Sequence, residues 1–140
     1  MPNKHKERCF LFDVDGTLTA PRQRMAVQDA DFFLDWILNK NVYLVSGSDL
    51  LKIKEQIPPD ILYKCNGVFS CMGNELWEPL DTGMRTVYQN RFESIPEEVK
   101  EWLQFKLGEC KFEPKQPPHF EFRSGMLNFS TVGRGANNFL

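Results

Sequence analysis

The feature that most constrains the fold is an unbroken apolar run that ends in two acidic residues. Cys9-Phe10-Leu11-Phe12 is entirely apolar, and Asp13-Val14-Asp15-Gly16 follows at once. An apolar run without alternation predicts a strand that is buried on both faces, as in a parallel sheet. Ligands of such sheets bind beyond the carboxyl ends of the strands. The same stretch therefore predicts an acidic site at the end of a buried strand.

Strand-like and helix-like patterns then alternate along the first part of the chain. Apolar residues at helical spacing predict a helix that starts at Met25 and ends at Asn39-Lys40-Asn41. Residues 50–57 predict a second, short helix that Pro58-Pro59 stops. The order strand, helix, strand, helix, strand is typical of a doubly wound α/β unit around a parallel sheet. The two later strands are predicted at residues 42–45 and 67–69.

A second kind of organisation begins near residue 84. Residues 84–91 alternate only weakly, which predicts an exposed strand or a hinge. The region after them combines one helix with alternating strands. We therefore predict an α/β domain at residues 1–84 and part of an α+β domain at residues 85–140.

The helix of the second domain has a predicted start and stop. Ser94 and Glu97 have the spacing of a capping box, and Gly108 is the predicted C-terminal stop. Two alternating runs then flank a Ser124-Gly125 turn, which predicts an antiparallel hairpin. The two runs cover residues 119–123 and 126–130.

Composition and charge exclude several classes of protein. A net charge of -2 argues against a nucleic-acid-binding protein, whose affinity depends on neutralising phosphates. No apolar run approaches the roughly 20 residues that span a bilayer. The apolar stretch after the polar residues 1–8 is also too short for a signal-peptide core. We therefore expect a cytoplasmic protein that binds neither nucleic acid nor membrane.

The cysteines are predicted to be reduced thiols, most of them buried. No two have the spacing Cys-x-x-Cys, and both histidines lie far from them along the chain, so a zinc site is not expected. A chain of this size does not need a disulfide framework. The four residues are Cys9, Cys65, Cys71 and Cys110.

Asp13 and Asp15 have the arrangement that phosphoryl transfer needs. A carboxylate can attack phosphorus and hold an aspartyl-phosphate when a hard cation screens the anions. A second carboxylate can move the proton of the leaving or incoming oxygen, and Gly16 allows a turn tight enough for amides to face a phosphate. Simpler interpretations are an ordinary Asp-Gly turn or a helix cap at Thr17. A calcium-binding EF-hand loop is excluded, because its twelfth position is Arg24 and not the required Glu.

The wider motif resembles a known family. Residues 12–19 resemble the first motif of the haloacid dehalogenase superfamily of phosphoryl-transfer enzymes, and the continuation through Arg22 is similar to the eukaryotic-type phosphomannomutases in particular. The resemblance implies a haloacid dehalogenase-like α/β fold: an incomplete doubly wound parallel core with part of an α+β cap domain. Later segments that are also similar are Gly47-Ser48-Asp49, Glu55-Gln56, residues 121–128 and Gly133-Arg134.

The resemblance implies roles for the residues of the core. Asp13 corresponds to the nucleophile that becomes phosphorylated, and its side chain is a ligand of Mg²⁺. Asp15 corresponds to the general acid/base and lends its backbone carbonyl to the same ion. Ser48, or else Ser46, corresponds to the residue that hydrogen-bonds the transferring phosphoryl group. The simpler interpretation of either serine is a helix cap.

Three arginines correspond to substrate contacts. Arg22 matches a residue that contacts the substrate from the core side, and Arg123 and Arg134 match residues that hold the second phosphate of a hexose bisphosphate. A planar guanidinium suits this task, because it grips phosphate through two parallel hydrogen bonds. The simpler interpretation of Arg123 is a surface partner of Glu121 in an alternating strand.

The implied function is that of a phosphomannomutase. Mannose 6-phosphate and mannose 1-phosphate would be interconverted through an aspartyl-phosphate and a 1,6-bisphosphate, with Mg²⁺ as cofactor and a hexose 1,6-bisphosphate as activator, for GDP-mannose synthesis. Two alternatives remain open. One is a sugar-phosphate phosphatase of the same superfamily, and the other is a truncated, non-catalytic remnant that binds sugar phosphates.

The chain also departs from the family pattern. Family members continue beyond the equivalent of Leu140 with the rest of the cap, a catalytic lysine and a further acidic magnesium-binding motif. We therefore expect a sheet with an open edge and an uncovered apolar face. Cys71-Met72-Gly73-Asn74-Glu75 stands where the family has a Glu-Asn-Gly turn. A gene fragment, a split gene and a chain completed by a partner all fit the length.

The resemblance also implies how the chain would assemble. Family members dimerise through the cap, so we expect a homodimer through the cap or a complementing chain. Apolar residues of the cap helix, Trp102 and Leu103, are the candidates for such a contact.

Overall fold

The chain divides into two compact units. The structure, a computed structural model, describes residues 8–92 and 94–136, and the division lies between Asn90 and Arg91. Within the described residues, the first unit holds a five-stranded sheet with three α-helices, and the second holds one α-helix and a two-stranded hairpin.

The sheet of the first unit begins with the predicted parallel strands. Strand β1 (Cys9–Asp13) pairs with β2 (Asn41–Val45), which pairs with β3 (Gly67–Ser70), and both pairs are parallel. Two antiparallel strands, β4 (Glu75–Leu80) and β5 (Gly83–Gln89), extend the sheet beyond β3. The parallel arrangement is confirmed, whereas β4 was not predicted.

Three helices accompany the sheet: α1 (Val27–Ile37), α2 (Leu50–Gln56) and α3 (Pro59–Lys64). The first two are confirmed, but the expected stop at Pro58-Pro59 is only half right. Although α2 ends at Gln56, Pro59 begins a new helix. Proline is favoured at the first helical position because the missing N–H has no partner to lose there.

Helix α1 packs on β1 through aromatic side chains. Phe12 meets both Phe33 and Trp36 edge to face, and Phe10 meets Trp36 in the same way with ring centroids 5.2 Å apart. Such pairs add stabilisation beyond the burial of apolar area. Phe33 is therefore buried in the core and Trp36 packs against it, whereas Phe32 of the same helix is exposed.

Strand β1 is the first strand of the sheet and is not buried on both faces. Phe10 and Phe12 face α1, whereas Leu11 between them is 60 % exposed. The prediction of burial on both faces was therefore wrong for this strand. The expected open edge is confirmed within the described residues, because β1 pairs only with β2.

The boundary between the units lies later than the predicted residue 84. The weakly alternating stretch after Gly83 is strand β5, and its Gln89 is still in register with Glu75 of β4. Pairing along the whole of β5 keeps that strand in the first unit. The alternation of apolar and polar residues was weak because β5 is largely exposed.

The second unit contains α4 (Glu97–Glu109) and a hairpin of β6 (Phe120–Arg123) with β7 (Met126–Phe129). The hairpin is confirmed. The capping box was wrong, because Pro96 occupies the N-cap position and no side chain caps the helix. The predicted stop at Gly108 was also wrong, since the helix runs through Glu109 and Cys110 is its C-cap.

All four cysteines are free thiols, as expected. Cys65 and Cys71 are buried, but Cys9 is exposed and Cys110 is half-buried, so the prediction that most are buried is correct for two of them only. In the part of the chain that the structure describes, no helix has the length and apolar character needed to cross a membrane.

Candidate active site

Asp13 stands at the carboxyl end of β1 and is exposed. Its carboxylate accepts a 3.3 Å hydrogen bond from the hydroxyl of Thr17, which is the contact that Thr17 makes in place of the suggested helix cap. The chain turns sharply after Asp13, with Gly16 at a positive φ of 77° that glycine adopts without strain. An incoming phosphate can therefore approach the Asp13 carboxylate from solvent.

Asp15 is held in a different way from Asp13. One of its carboxylate oxygens, Oδ1, accepts hydrogen bonds from the backbone N–H of Arg22 at 2.8 Å and from the amide Nε2 of Gln56 at 2.7 Å. Arg22 has a positive φ of 60°, an unusual conformation for a residue with a side chain. The loop thus curls so that Arg22 contacts Asp15 through its backbone, while the residue as a whole is exposed.

The predicted phosphate-binding serines follow β2 at the same edge of the sheet. Asp13 is in register with Val45, the last residue of β2, and Ser46 comes next. Ser46 is buried and its hydroxyl accepts a hydrogen bond from the backbone N–H of Ser48 at 3.1 Å. The helix-cap interpretation of Ser48 was wrong, because Asp49 caps α2 by accepting from the Lys52 N–H.

The carboxylate at Asp13 is a suitable ligand for a hard cation that needs few ligands from the protein. Among the described residues, no group of three or more His, Cys, Asp or Glu side chains is gathered as a metal site. Mg²⁺ does not require such a group, because it keeps several waters and is typically bound by one or two carboxylates and by substrate phosphate. The exposed Asp13 carboxylate fits that pattern as one such ligand.

The second unit brings two predicted arginines to one carboxylate. Glu121 lies 3.3 Å from the guanidinium of Arg123 and 3.0 Å from that of Arg134. Arg123 therefore contacts Glu121, as the simpler interpretation of Arg123 predicted. The two guanidiniums nevertheless converge on the same carboxylate.

The pKa of Glu121 reflects these neighbours. Partial burial acts to raise the pKa, but the charge of Arg123 and its hydrogen bond, the charge of Arg134 and a hydrogen bond from Asn128 together lower it. Glu121 is therefore a carboxylate at neutral pH and competes with any other anion for the two arginines.

Gln56 makes a contact with Asp15 that the sequence did not reveal. The resemblance assigns the Glu55-Gln56 pair only to a family helix, without a role. Gln56 is buried, and it follows Ile53 by one helical turn on the apolar face of α2. A polar residue at a core position was the available signal, because buried amides need hydrogen-bond partners.

Comparison with known proteins identifies the family. The profile described as "Eukaryotic phosphomannomutase" matches residues 30–139. That range includes Ser48, Arg123 and Arg134, whereas Asp13, Asp15 and Arg22 precede it. Two plant relatives, each named phosphomannomutase, match 91 % of this chain: the protein from Dendrobium officinale at 35 % identity over 132 residues and the protein from Solanum lycopersicum at 36 % over 130 residues. The chain spans 51 % of each relative, about half of its length.

Solved structures show the same fold. A sugar phosphatase of haloacid dehalogenase subclass IIB aligns with a TM-score of 0.50 at 20 % identity, covering 70 % of this chain and 36 % of that one. A haloacid dehalogenase-like hydrolase from B. subtilis aligns with the same TM-score at 17 % identity, covering 70 % and 33 %. The α/β fold is therefore haloacid dehalogenase-like, and the chain belongs to the eukaryotic phosphomannomutase family.

Proposed function

We propose that this chain takes part in phosphomannomutase-type phosphoryl transfer on hexose phosphates. The observation that carries the proposal is the contrast between two neighbouring carboxylates: Asp13 is open to solvent, and Asp15 is fixed by two N–H donors. An open carboxylate suits a nucleophile, and a fixed one suits proton transfer. Membership of the eukaryotic phosphomannomutase family supports the same activity.

In the proposed reaction, Asp13 attacks the phosphorus of a hexose phosphate. A bond from the Asp13 carboxylate to phosphorus forms as the bond from phosphorus to the sugar oxygen breaks. Asp15 gives its proton to that oxygen and then removes a proton from the hydroxyl that takes the phosphoryl group back. Ser48 would hydrogen-bond the phosphoryl oxygens during transfer. The Asp13 carboxylate and Asp15 carbonyl would hold Mg²⁺, which would screen the charge between the phosphate and the carboxylates.

The arginines would hold the part of the substrate that does not react. Arg123 and Arg134 would bind the second phosphate of a hexose 1,6-bisphosphate, with Glu121 holding them in place while it is absent. Arg22 would contact the substrate from the core.

With mannose phosphates as substrates, the product mannose 1-phosphate would serve GDP-mannose synthesis. We place the reaction in the cytoplasm, which the four free thiols support.

Assembly through the second unit is part of the proposal. The chain spans about half the length of its relatives, and the proposed assembly is a homodimer through the cap or a complex with a complementing chain. The cap helix α4 offers an apolar face for assembly, because Trp102 is 58 % exposed and Val99 on the same face is also exposed.

A second candidate is a sugar-phosphate-binding protein without turnover. The convergence of Arg123 and Arg134 on Glu121 favours it, since two converging guanidiniums would bind a phosphate without any contribution from the Asp13 carboxylate. A phosphatase would differ from both in releasing phosphate without any need for a bisphosphate activator.

The decisive experiment is coupled turnover of mannose 1-phosphate to mannose 6-phosphate by the chain, with Mg²⁺ and a hexose 1,6-bisphosphate. Asp13→Asn is the matched control, because it keeps the shape of the side chain and removes the nucleophile. Turnover that this variant abolishes supports the mutase. Phosphate release without the activator supports the phosphatase, and substrate binding without turnover supports the binding protein.

A further inference from the structure

The buried amide of Gln56 connects the end of α2 to the acidic loop. Gln56 is only 5 % exposed, and its Nε2 donates a 2.7 Å hydrogen bond to Oδ1 of Asp15, which lies 41 residues earlier in the chain. The backbone carbonyl of Gln56 also accepts a hydrogen bond from the N–H of Met25 at 2.8 Å. Both the side chain and the backbone of Gln56 are therefore fixed relative to the loop.

The other end of the same amide is left without a partner. The oxygen Oε1 of Gln56 is buried and accepts no hydrogen bond from the described residues. A buried carbonyl oxygen without a hydrogen bond is destabilising, and an apolar side chain would avoid that cost. Only the donor end of the amide is used: Nε2 donates to Asp15 Oδ1 at 2.7 Å and more weakly to the Gln23 carbonyl at 3.5 Å.

We propose that Gln56 is a positioning residue for proton transfer by Asp15, an inference that rests on the proposed function. Gln56 and the N–H of Arg22 both donate to Oδ1, so Oδ2 is the oxygen that carries and transfers the proton. As the bond from phosphorus to the sugar oxygen breaks and the bond from Asp13 to phosphorus forms, the proton moves from Oδ2 to the sugar oxygen. The carboxylate that remains on Asp15 is stabilised by the same two donors.

A contrast between two leaving groups tests this role. A sugar alkoxide needs a proton as it departs, whereas the nitrophenolate of p-nitrophenyl phosphate departs without one. General acid catalysis contributes roughly 100-fold or more to a rate. We expect Gln56→Met, which keeps the length of the side chain and removes the donor, to lower kcat for phosphoryl transfer from mannose 6-phosphate about 10- to 100-fold. Transfer from p-nitrophenyl phosphate is expected to change less than about 3-fold, because no general acid is needed.

The chain offers a matched control for loop packing. Arg24 Nε donates to the carbonyl of Glu55 at 3.1 Å, so it also ties the loop to the end of α2 but does not contact Asp15. Arg24→Met is expected to affect both substrates equally. Asp15→Asn is the positive control and should show the same contrast between substrates as Gln56→Met, only larger.

Each outcome of this comparison between the two substrates either supports or overturns the role proposed for Gln56. Loss on mannose 6-phosphate alone supports it, whereas an equal loss on both substrates or no loss on either overturns it and leaves the proposed function standing. A wild-type chain that is inactive on both substrates overturns the proposed function and the inference with it. If circular dichroism shows that Gln56→Met is unfolded, Gln56→Asn replaces it. The Asn side chain stays polar but is shorter by one methylene, so its amide N–H lies farther from Asp15.

Discussion

Arg134 Nε lies 3.0 Å from Oε2 of Glu121, and the same carboxylate lies 3.3 Å from the guanidinium of Arg123. Glu121 and Arg123 lie on β6 and Arg134 follows β7, and the three side chains form a compact charge cluster in the second unit. Its stability depends on the ionisation of Glu121, which makes the cluster testable by a change of pH.

The first prediction concerns acid destabilisation. The pKa of Glu121 lies below its ordinary value of 4.5 in the folded chain, so the stability that this group contributes is present above about pH 4.5 and is lost as the pH falls through the folded pKa. At pH 7, we expect Glu121→Gln to lower the thermal unfolding midpoint of the second unit by about 1–3 °C, since the pair is partly exposed. The difference from wild type should diminish as the pH is lowered below 4.5, and a difference that stays the same throughout the acid titration would contradict the assignment.

A second prediction concerns the reactivity of two thiols. Hydrogen bonds from the Phe112 backbone and the Thr131 side chain lower the pKa of the Cys110 thiol, whereas burial raises the pKa of Cys65 to about 12. The thiolate is the form that reacts. At pH 8, iodoacetamide should alkylate Cys110 at least about 10-fold faster than Cys65 in the folded chain, as measured by mass spectrometry of the peptides. In denaturant the two rates should converge, and equal rates in the folded chain would argue against this difference.

The third prediction concerns a buried carboxylate between strands. Glu75 of β4 accepts hydrogen bonds from the Ser70 hydroxyl at 2.6 Å and from the Trp77 indole N–H at 3.0 Å, and Gln89 of β5 also donates to it. Glu75→Leu would take this acceptor away from the buried Ser70 hydroxyl and from the half-buried Trp77 and Gln89. We expect a loss of about 2–4 kcal/mol in the free energy of unfolding, measured by urea denaturation.

Glu78 on the same strand provides the control for Glu75. It forms an ion pair with Arg85 at 2.8 Å, and the Arg85 side chain is largely exposed. Glu78→Leu should therefore cost less than about 1 kcal/mol. If the two substitutions were equally destabilising, the hydrogen bonds of Glu75 would not be the cause.

The sequence predicted the parts of the fold that depend on local patterns. The apolar runs of β1, β2 and β3 are strand-like by themselves, and helix α1 has apolar residues at helical spacing. Strand β4 was missed because Glu75–Leu80 includes glutamates and a proline, and its strand conformation depends on pairing with β3 and β5.

The candidate site likewise combines features that depend on local sequence with contacts between residues far apart along the chain. Asp13 and Asp15 could be proposed from the sequence because residues close together along the chain form a recognisable motif. The contact between Gln56 and Asp15 joins residues that are 41 positions apart, and no spacing along the chain reveals it. Glu121 was seen beside Arg123 because they are close in sequence, but its contact with Arg134 depends on how the chain folds after β7.

The last prediction compares two glycines in different surroundings. A Cβ atom on Gly67 of β3 would lie 2.9 Å from the ring of Tyr43 and 3.0 Å from the backbone oxygen of Trp77. Both distances are shorter than normal contacts, and the backbone oxygen cannot rotate away as a side chain can. We expect Gly67→Ala to destabilise the first unit by about 1–3 kcal/mol.

Gly108 in α4 is the matched control, because nothing lies within 4 Å of the position that its Cβ would occupy. Alanine favours the helix over glycine by about 1 kcal/mol, so Gly108→Ala should stabilise α4. Hydrogen exchange measured by mass spectrometry can follow the two units separately. Faster exchange in β2 and β3 of Gly67→Ala together with slower exchange in α4 of Gly108→Ala is expected. Unchanged exchange around Gly67 would mean that β3 moves away from Tyr43 at little cost, which would contradict the tight packing of these strands.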